Sequence, residues 1–139
     1  MRISQQQARN WFAQARVARL ASADELGRPH LVPVVFVTRG DVIVTAVDRK
    51  PKRTANLKRL RNIAANPRVA LLVDHYEDDW SRLWWVRADG EAELAESAAH
   101  PDLLAALVAK YPQYRETPPT GTLIMVRVTC WSGWAFAER

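Results

Sequence analysis

Basic side chains are concentrated in one short stretch of the chain. Eight of the twenty lysines and arginines fall within twenty positions: Arg49, Lys50, Lys52, Arg53, Lys58, Arg59, Arg61 and Arg68. No acidic residue occurs between residues 49 and 73. The stretch follows a strand-like segment, residues 41–47, and Pro51 suits the start of a helix. Unpaired N–H groups at a helix start, joined by Lys and Arg, predict a binding site for the phosphate or carboxylate end of a cofactor.

The composition of the chain limits the class of protein to which this basic segment can belong. The chain has 139 residues, which suits a single domain over its whole length, residues 1–139. It contains no apolar run long enough to span a membrane, and residues 1–10 lack the apolar core of a signal peptide. We therefore expect a cytoplasmic protein with no membrane partner. One cysteine and three separated histidines show no metal-ligand spacing, so no metal site is predicted.

The net charge of +5 and the pI near 9.9 favour an acidic partner. Nucleic acid is one candidate, but no zinc-finger spacing or aromatic RNA-binding signature accompanies the basic segment. A small polyanion fits so concentrated a charge better. Six tryptophans are also present, five of them after residue 79, and such rings often serve interfaces or flat ligands.

The elements that must position the basic segment can be read from hydrophobic periodicity and turn residues. Helices are predicted over 4–14, 51–65 and 99–110, with Ser4 and Ser97 as N-caps. Strands are predicted over 17–23, 30–38, 42–47, 68–74, 81–94 and 122–130, with a bulge near Gly90. The last strand is expected to continue over 131–137 after a kink at Ser132-Gly133. Six strands, three helices and short hairpins indicate a mostly β (α+β) protein built on an antiparallel barrel.

Four segments, taken together and in order, resemble a known superfamily. They are Gly27-Arg28-Pro29-His30-Leu31-Val32-Pro33-Val34, Lys50-Pro51-Lys52-Arg53-Thr54-Ala55-Asn56-Leu57, Asn66-Pro67-Arg68-Val69-Ala70-Leu71-Leu72-Val73 and Gly90-Glu91-Ala92-Glu93-Leu94. They resemble motifs of the pyridoxamine 5′-phosphate oxidase-like, flavin-reductase-like split β-barrels over roughly residues 10–95. The resemblance implies a six-stranded antiparallel split β-barrel that binds FMN or a related cofactor.

A narrower resemblance is to the deazaflavin branch, which uses coenzyme F420. It is carried by the stretch from Lys50 through Asn62-Ile63 to Asp74-His75-Tyr76, by Asp79-Trp80-Ser81-Arg82-Leu83-Trp84-Trp85-Val86-Arg87 and by Trp131-Ser132-Gly133-Trp134. This branch implies a homodimer with two cofactor sites at the subunit interface, and hydride transfer between F420 and a small organic substrate. No substrate-phosphate residues of true pyridoxamine phosphate oxidases match at the C-terminus, so synthesis of pyridoxal phosphate is not expected.

The resemblance also implies which residues hold the cofactor. Lys50, Lys52 and Arg53 would bind the phosphate, with Thr54 or Asn56 adding a hydrogen bond. Coenzyme F420 carries a tail of negatively charged glutamates, and Arg59 and Arg61 could bind that tail. For Lys58 and Arg61 the alternative is that they are solvated charges on the helix. Pro33, Val34 and Val35, with Thr45 and Ala46, would line the slot for the ring. Trp85, like Trp80 and Trp84, would pack at the dimer interface or over the ring.

Two alternatives remain open from the sequence. The barrel could bind FMN instead of F420, since both have a flat ring and a phosphate. It could also carry or store the deazaflavin without turnover. No catalytic acid or base is named, because a hydride-transfer cofactor carries the chemistry while the protein orients it and excludes water. His75 and Tyr76 could donate to a substrate carbonyl, with loop residues as the alternative.

Overall fold

A computed structural model of the protein describes residues 1–47 and 53–137, and the side chains of residues 1–47 and 58–137. Helices and strands alternate irregularly within it. They are α1 Gln5–Gln14, β1 Ala18–Ala23, β2 Pro29–Val34, β3 Val37–Arg39, β4 Val42–Ala46, α2 Arg53–Ala65, β5 Arg68–His75, β6 Trp84–Glu96, α3 Pro101–Lys110 and β7 Thr122–Ala135. None of the helices found among these residues is long and apolar enough to cross a membrane.

The strands of the described residues form one sheet in the order β2-β1-β5-β6-β7-β4-β3, and neighbouring strands are antiparallel. The two edge strands, β2 and β3, are consecutive in the chain and only Val35 and Phe36 lie between them. Because Val34 and Val37 are three residue steps apart and can be separated by no more than about 11 Å, the two edges of the sheet must lie close together. The sheet is therefore wrapped into a split barrel, and the antiparallel β-rich fold predicted from the sequence is confirmed.

The sheet has seven strands where six were expected. The single strand predicted over 30–38 is divided, because the chain leaves β2 at Val34 and enters β3 at Val37. Phe36 between them is fully buried, so its side chain turns into the barrel at the point where the chain crosses from one sheet edge to the other. An unbroken run of apolar residues cannot show such a crossing.

The barrel core is filled from the inward faces of the strands and closed at one end by α1. Leu20, Leu71, Val86 and Ile124 come from four different strands and are fully buried. Phe12 of α1 enters the same cluster. Helix α1 starts as predicted, since the Ser4 Oγ accepts the Gln7 N–H at 3.1 Å and the Gln7 Oε1 accepts the Ser4 N–H at 3.3 Å.

Two glycines mark close backbone contacts between β6 and its neighbours. The predicted bulge is confirmed, because the β6–β7 register shifts between Asp89 and Gly90. A Cβ on Gly90 would lie 2.4 Å from the carbonyl oxygen of Arg127. The predicted continuation of the last strand is confirmed to Ala135, but the kink expected at Ser132-Gly133 is not found, since β7 keeps its register with β6 there. Glycine is favoured at residue 133 because a Cβ would lie 2.9 Å from the backbone carbonyl oxygen of Trp85.

The start of α3 also differs from the sequence prediction. Ser97 begins a short 3-10 turn, Ser97–Ala99, and is not the N-cap of the helix. The helix itself begins at Pro101. Proline is favoured in a first helical turn because its missing N–H would have had no partner there.

Candidate cofactor site

The predicted phosphate segment follows the end of β4 and leads into α2. Strand β4 ends at Ala46, and the Val47 N–H donates to the Thr122 carbonyl at 2.9 Å. Helix α2 begins at Arg53. The strand predicted over 42–47 and the helix predicted over 51–65 are therefore confirmed among the described residues, while the helix start expected at Pro51 lies outside them. Lys50 and Lys52 lie outside the described residues, as do the side chains of Arg53, Thr54 and Asn56, so their role as phosphate ligands stays a prediction.

The basic residues farther along α2 do not share one environment. Lys58 and Arg61 are exposed and line a cleft of about 610 Å³ between α2 and the β1–β2 turn. Arg59 is only 9% exposed. The helical spacing of the apolar residues over 51–65 predicts that the basic residues lie away from the packed face of the helix. Arg59 departs from this prediction because it is buried. Its role as a cofactor ligand remains a prediction.

The residues predicted to line the ring slot lie on β2, on β4 and in the link between β2 and β3. They do not share one environment. Val34 packs in the barrel core, whereas Val35 and Ala46 pack against a separate apolar cluster that Leu103 and Leu107 of α3 enter. Thr45 is fully buried, Ala46 partly, and Val34 is 6% exposed, whereas Pro33 is exposed on the outer side of β2.

Tyr111 fixes the two-residue link beside this slot. Its hydroxyl accepts the Phe36 N–H at 3.1 Å and lies 3.0 Å from the Phe36 carbonyl oxygen and 2.9 Å from that of Arg16. Burial raises the pKa of the Tyr111 hydroxyl, which keeps its proton available as a donor. No pattern in the sequence indicates this role, since Tyr111 simply follows a predicted helix and precedes a proline-rich loop.

Lys110 packs over the ring of Phe36, which belongs to the same link. Its Nζ lies 3.9 Å from the centre of the Phe36 ring and donates to the Ala13 carbonyl at 3.4 Å. Burial, with the nearby charge of Arg16 as a smaller cause, lowers the pKa of Lys110 to about 8. The contact with the ring face favours the charged amine and opposes this shift.

A second group of polar side chains lies beneath α2, and we call Ser22, His30, Arg59 and Asn62 the α2 polar cluster. The Asn62 Nδ2 donates to the Ser22 Oγ at 3.3 Å, and both residues are 4% exposed. Ser22 and His30 are register partners in β1 and β2, so their side chains share a face. The sequence did carry a signal here, since Ser22 interrupts an apolar strand and Asn62 precedes the apolar Ile63.

The outer face of the sheet presents apolar residues on adjacent strands. We define this outer face by Leu31 and Pro33 of β2, Ala21 of β1, Ala70 and Leu72 of β5, and Trp85 of β6. Register puts Pro33, Arg19 and Leu72 in one row and Leu31, Ala21 and Ala70 in the next. Leu31 is 66% exposed and Leu72 36%. Trp85 is half-buried, with the Arg87 guanidinium 5.9 Å from its ring.

The remaining tryptophans divide between core and surface. Trp131 is 6% exposed, packs on Phe12 at 5.4 Å between ring centres, and donates its indole N–H to the Asp41 carboxylate at 2.9 Å. This hydrogen bond, helped by Arg9, lowers the pKa of Asp41. Trp84 meets Trp11 edge-on at 5.3 Å, and Trp80 is 69% exposed.

The loop after β5 is held by its own carboxylates. Glu77 bonds both the His75 Nε2 and the Arg82 Nε, the latter at 3.0 Å. The bond with His75 is the main cause, before that with Arg82, of the lowered pKa of Glu77. His75 thus has a fixed acceptor within the loop, and Tyr76 is 61% exposed. Within residues 1–47 and 53–137, no three His, Cys, Asp or Glu side chains converge as metal ligands would.

Comparison with known proteins adds a family to this geometry. Residues 4–135 match the family model described as pyridoxamine 5′-phosphate oxidase. No curated protein matches the sequence significantly.

Several solved structures share the fold at low sequence identity. A FAD-binding protein from Mesorhizobium loti is 19% identical, with a TM-score of 0.72 over 96% of this chain and 93% of that one. The FAD-binding protein from Mycobacterium smegmatis is 18% identical, with a TM-score of 0.63 over 99% and 100% of the two chains. A heme storage protein from Vibrio cholerae is 17% identical, with a TM-score of 0.66 over 96% and 95%.

Proposed function

Because the chain belongs to the pyridoxamine 5′-phosphate oxidase family, we propose that it is an oxidoreductase whose cofactor has a flat three-ring system and an anionic arm. We further propose that this cofactor is coenzyme F420 and that the substrate is a small organic acceptor. The observation that carries the proposal is the junction between β4 and α2. A basic stretch without acidic residues, 49–73, begins shortly after β4 and includes the start of α2.

The charge distribution supports an anionic arm at this junction. The first N–H groups of a helix are unpaired and carry a partial positive charge, which favours a phosphate at Arg53 and the residues just before it. Exposed Lys58 and Arg61 continue the positive surface along α2, as several negative charges on one arm would require. We propose Lys50, Lys52 and Arg53 as phosphate ligands, with Thr54 or Asn56 adding a hydrogen bond.

The split of the barrel supports a slot for the ring. Val34 ends β2 just before the link at Val35 and Phe36, Thr45 and Ala46 end β4, and Tyr111 holds that link in place. An apolar border with few charged groups excludes water and orients a flat ligand, as hydride transfer requires. When bound, the reduced coenzyme supplies a hydride to the acceptor, which also takes up a proton. The choice of F420 over FMN rests on the sequence segments of residues 74–87 and 131–134.

Titration of the purified protein with F420 and with FMN tests the cofactor. Binding of F420 at low micromolar concentration, with FMN bound more weakly, would support the proposal. Tighter binding of FMN, or a protein that is yellow as purified, would favour the FMN alternative. Binding of neither cofactor at tens of micromolar would overturn both.

The phosphate ligands are tested by the double substitution Lys52→Ala and Arg53→Ala. We expect weaker F420 binding with an unchanged melting temperature, because each charge-assisted hydrogen bond contributes roughly 1.5–3 kcal/mol. Arg68→Ala is the matched control, since it removes an exposed charge beyond the far end of α2. Unfolding of the double variant, or an equal effect of the control, would contradict the assignment.

Storage without turnover is a second candidate function. The fold of the Vibrio cholerae heme storage protein shows that this architecture also serves storage. The two functions are separated by mixing the protein, reduced F420 and a panel of small acceptors. Reoxidation of F420 that depends on the protein supports the oxidoreductase. Stoichiometric binding without reoxidation supports storage.

A further inference from the structure

The inference concerns the face of α2 that packs on the barrel. Arg59, Asn62 and Ile63 occupy positions i, i+3 and i+4, so they lie on one face of the helix. They are 9%, 4% and 3% exposed. A helix that only needs to be anchored buries apolar residues on such a face. Two of these three buried side chains are instead polar, and burying a polar group costs free energy unless it is hydrogen-bonded.

The partner of Asn62 lies on the barrel wall. The Asn62 Nδ2 donates to the Ser22 Oγ at 3.3 Å, and this bond joins positions 40 residues apart in the chain. The buried His30 Nδ1 is beside it on the neighbouring strand and makes no hydrogen bond to the rest of the described chain. The interface between α2 and β1 therefore contains a directional contact in addition to the apolar contact of Ile63.

The hydrogen bond between Asn62 and Ser22 adds a directional constraint to this interface. Apolar burial is non-directional, so it permits a helix to rotate slightly on the surface where it packs. A hydrogen bond weakens steeply when its angle departs from linearity, so it restricts that rotation. A rotation of about 20° moves a side-chain tip at about 6 Å from the helix axis by about 2 Å. Displacements of about 1 Å already weaken a preorganised binding site.

Arg53 is the first residue of the same helix, nine positions or about 13 Å before Asn62. We propose that Asn62 and Ser22 are positioning residues, which fix the rotation of α2 and thereby the direction in which its first turn meets the cofactor phosphate. This inference rests on the proposed function, because it concerns the same phosphate site.

Three variants test the inference, namely Asn62→Leu, Ser22→Ala and the combination of the two. Each single variant leaves one buried polar group without its partner and should lower the melting temperature. The double variant removes both polar groups, leucine keeps the branched heavy-atom shape of asparagine, and loss of the Ser22 hydroxyl makes room for its larger methyl groups. We expect it to regain most of the lost melting temperature.

Affinity is measured for ligand pairs that differ in the phosphate arm: FMN with riboflavin, and F420 with its phosphate-free deazaflavin chromophore. We expect the double variant to bind the phosphate-bearing ligand roughly tenfold more weakly and the phosphate-free ligand as tightly as the wild-type protein does. Ile63→Ala is the control, since it weakens the same helix contact without touching the hydrogen bond. It should lower stability and leave the ratio of the two affinities unchanged.

Two results would overturn the inference while leaving the proposed function in place. One is wild-type affinity of the double variant for the phosphate-bearing ligand. The other is equal weakening for both members of a pair, which would mean that Asn62 and Ser22 are only structural. A wild-type protein that binds neither F420 nor FMN would contradict the proposed function, and this inference with it.

Discussion

His30 shows how the surroundings of a single residue set its charge. Burial is the main cause that lowers the pKa of its imidazole below the ordinary value of 6.5, and the positive charges of Lys58 and Arg59 lower it further. The folded protein therefore keeps His30 neutral in a pH range where the unfolded chain is already protonated. Ser22 and Asn62, the remaining members of the α2 polar cluster, carry no charge.

This lowered pKa predicts a pH-dependent loss of stability. Below about pH 6.5 the unfolded chain binds more protons at residue 30 than the folded protein does, so stability falls as pH falls through that value. We expect the melting temperature to drop between about pH 7.5 and about pH 5.5, and to drop less in His30→Gln. The carboxylates with lowered pKa, such as Asp24 and Glu77, stay ionised in this window. Equal drops in the two proteins would contradict the prediction.

Lys110 makes a second prediction at the residue scale. Because its pKa is lowered to about 8, the amine is largely neutral at pH values where a free lysine is still protonated. The rate of acetylation of Lys110, followed by mass spectrometry of peptides, should reach half its maximum near pH 8. The control is the same protein in urea, where the midpoint should move to that of a free lysine near about 10.4. An unchanged midpoint would show that burial does not act on this amine.

Tyr111 connects the end of α3 with two links between other secondary-structure elements. It follows α3 and bonds the backbone of Phe36, between β2 and β3, and of Arg16, between α1 and β1. Lys110 and Arg16 reinforce the connection, since the Arg16 guanidinium donates to the Lys110 carbonyl at 2.6 Å. The split of the barrel, where the ring slot is proposed, is thus held from α3.

Removal of the Tyr111 hydroxyl should therefore destabilise the fold. In Tyr111→Phe the Phe36 N–H loses its partner, and leaving a buried donor unpaired costs about 1–3 kcal/mol. Tyr76→Phe is the matched control, because Tyr76 is 61% exposed and its change should stay within about 0.5 kcal/mol. Urea unfolding of both variants measures the difference. A Tyr111→Phe variant as stable as the control would show that the hydroxyl does not hold the link.

The outer face of the sheet matters at the scale of the whole molecule. Leu31 and Pro33 of β2 and Leu72 of β5 remain exposed in the single chain, with Arg19 and Ala21 of β1 between them. Exposed apolar residues grouped on one face and rimmed by polar ones mark an interaction surface in soluble proteins. We propose that a second copy of the chain covers this face and brings the cofactor sites to the subunit interface, as the resemblance implies.

The homodimer is tested by light scattering after size-exclusion chromatography. The wild-type protein should have roughly twice the chain mass of 15.8 kDa. The double variant Leu31→Glu with Leu72→Glu should be monomeric, because it buries two charges against an apolar partner. Leu26→Glu is the control, since Leu26 is 73% exposed but lies in the β1–β2 turn, away from this face. A monomeric wild-type protein would contradict the proposal.

Local patterns in the sequence determined much of this protein. Most of the elements were predicted from helical periodicity after the Ser4 cap and from β-branched runs between turns. The strand-to-helix junction was predicted from Pro51 after a strand-like segment. These predictions succeed because each signal depends on near neighbours in the chain. The cluster of basic residues likewise predicted an anion site from composition alone, and that site stays a prediction. Ordered motifs over the first two thirds of the chain indicated the family that the match over residues 4–135 shows.

Only the tertiary structure decided which polar residues are buried and what they contact. Arg59 is buried. The hydrogen bond from Asn62 to Ser22 joins residues 40 positions apart, and the contacts of Tyr111 with Phe36 join residues 75 positions apart. The division of the strand over 30–38 likewise depends on where the two sheet edges meet. Such contacts follow from closing the barrel, and no local period records how distant segments of the chain will pack.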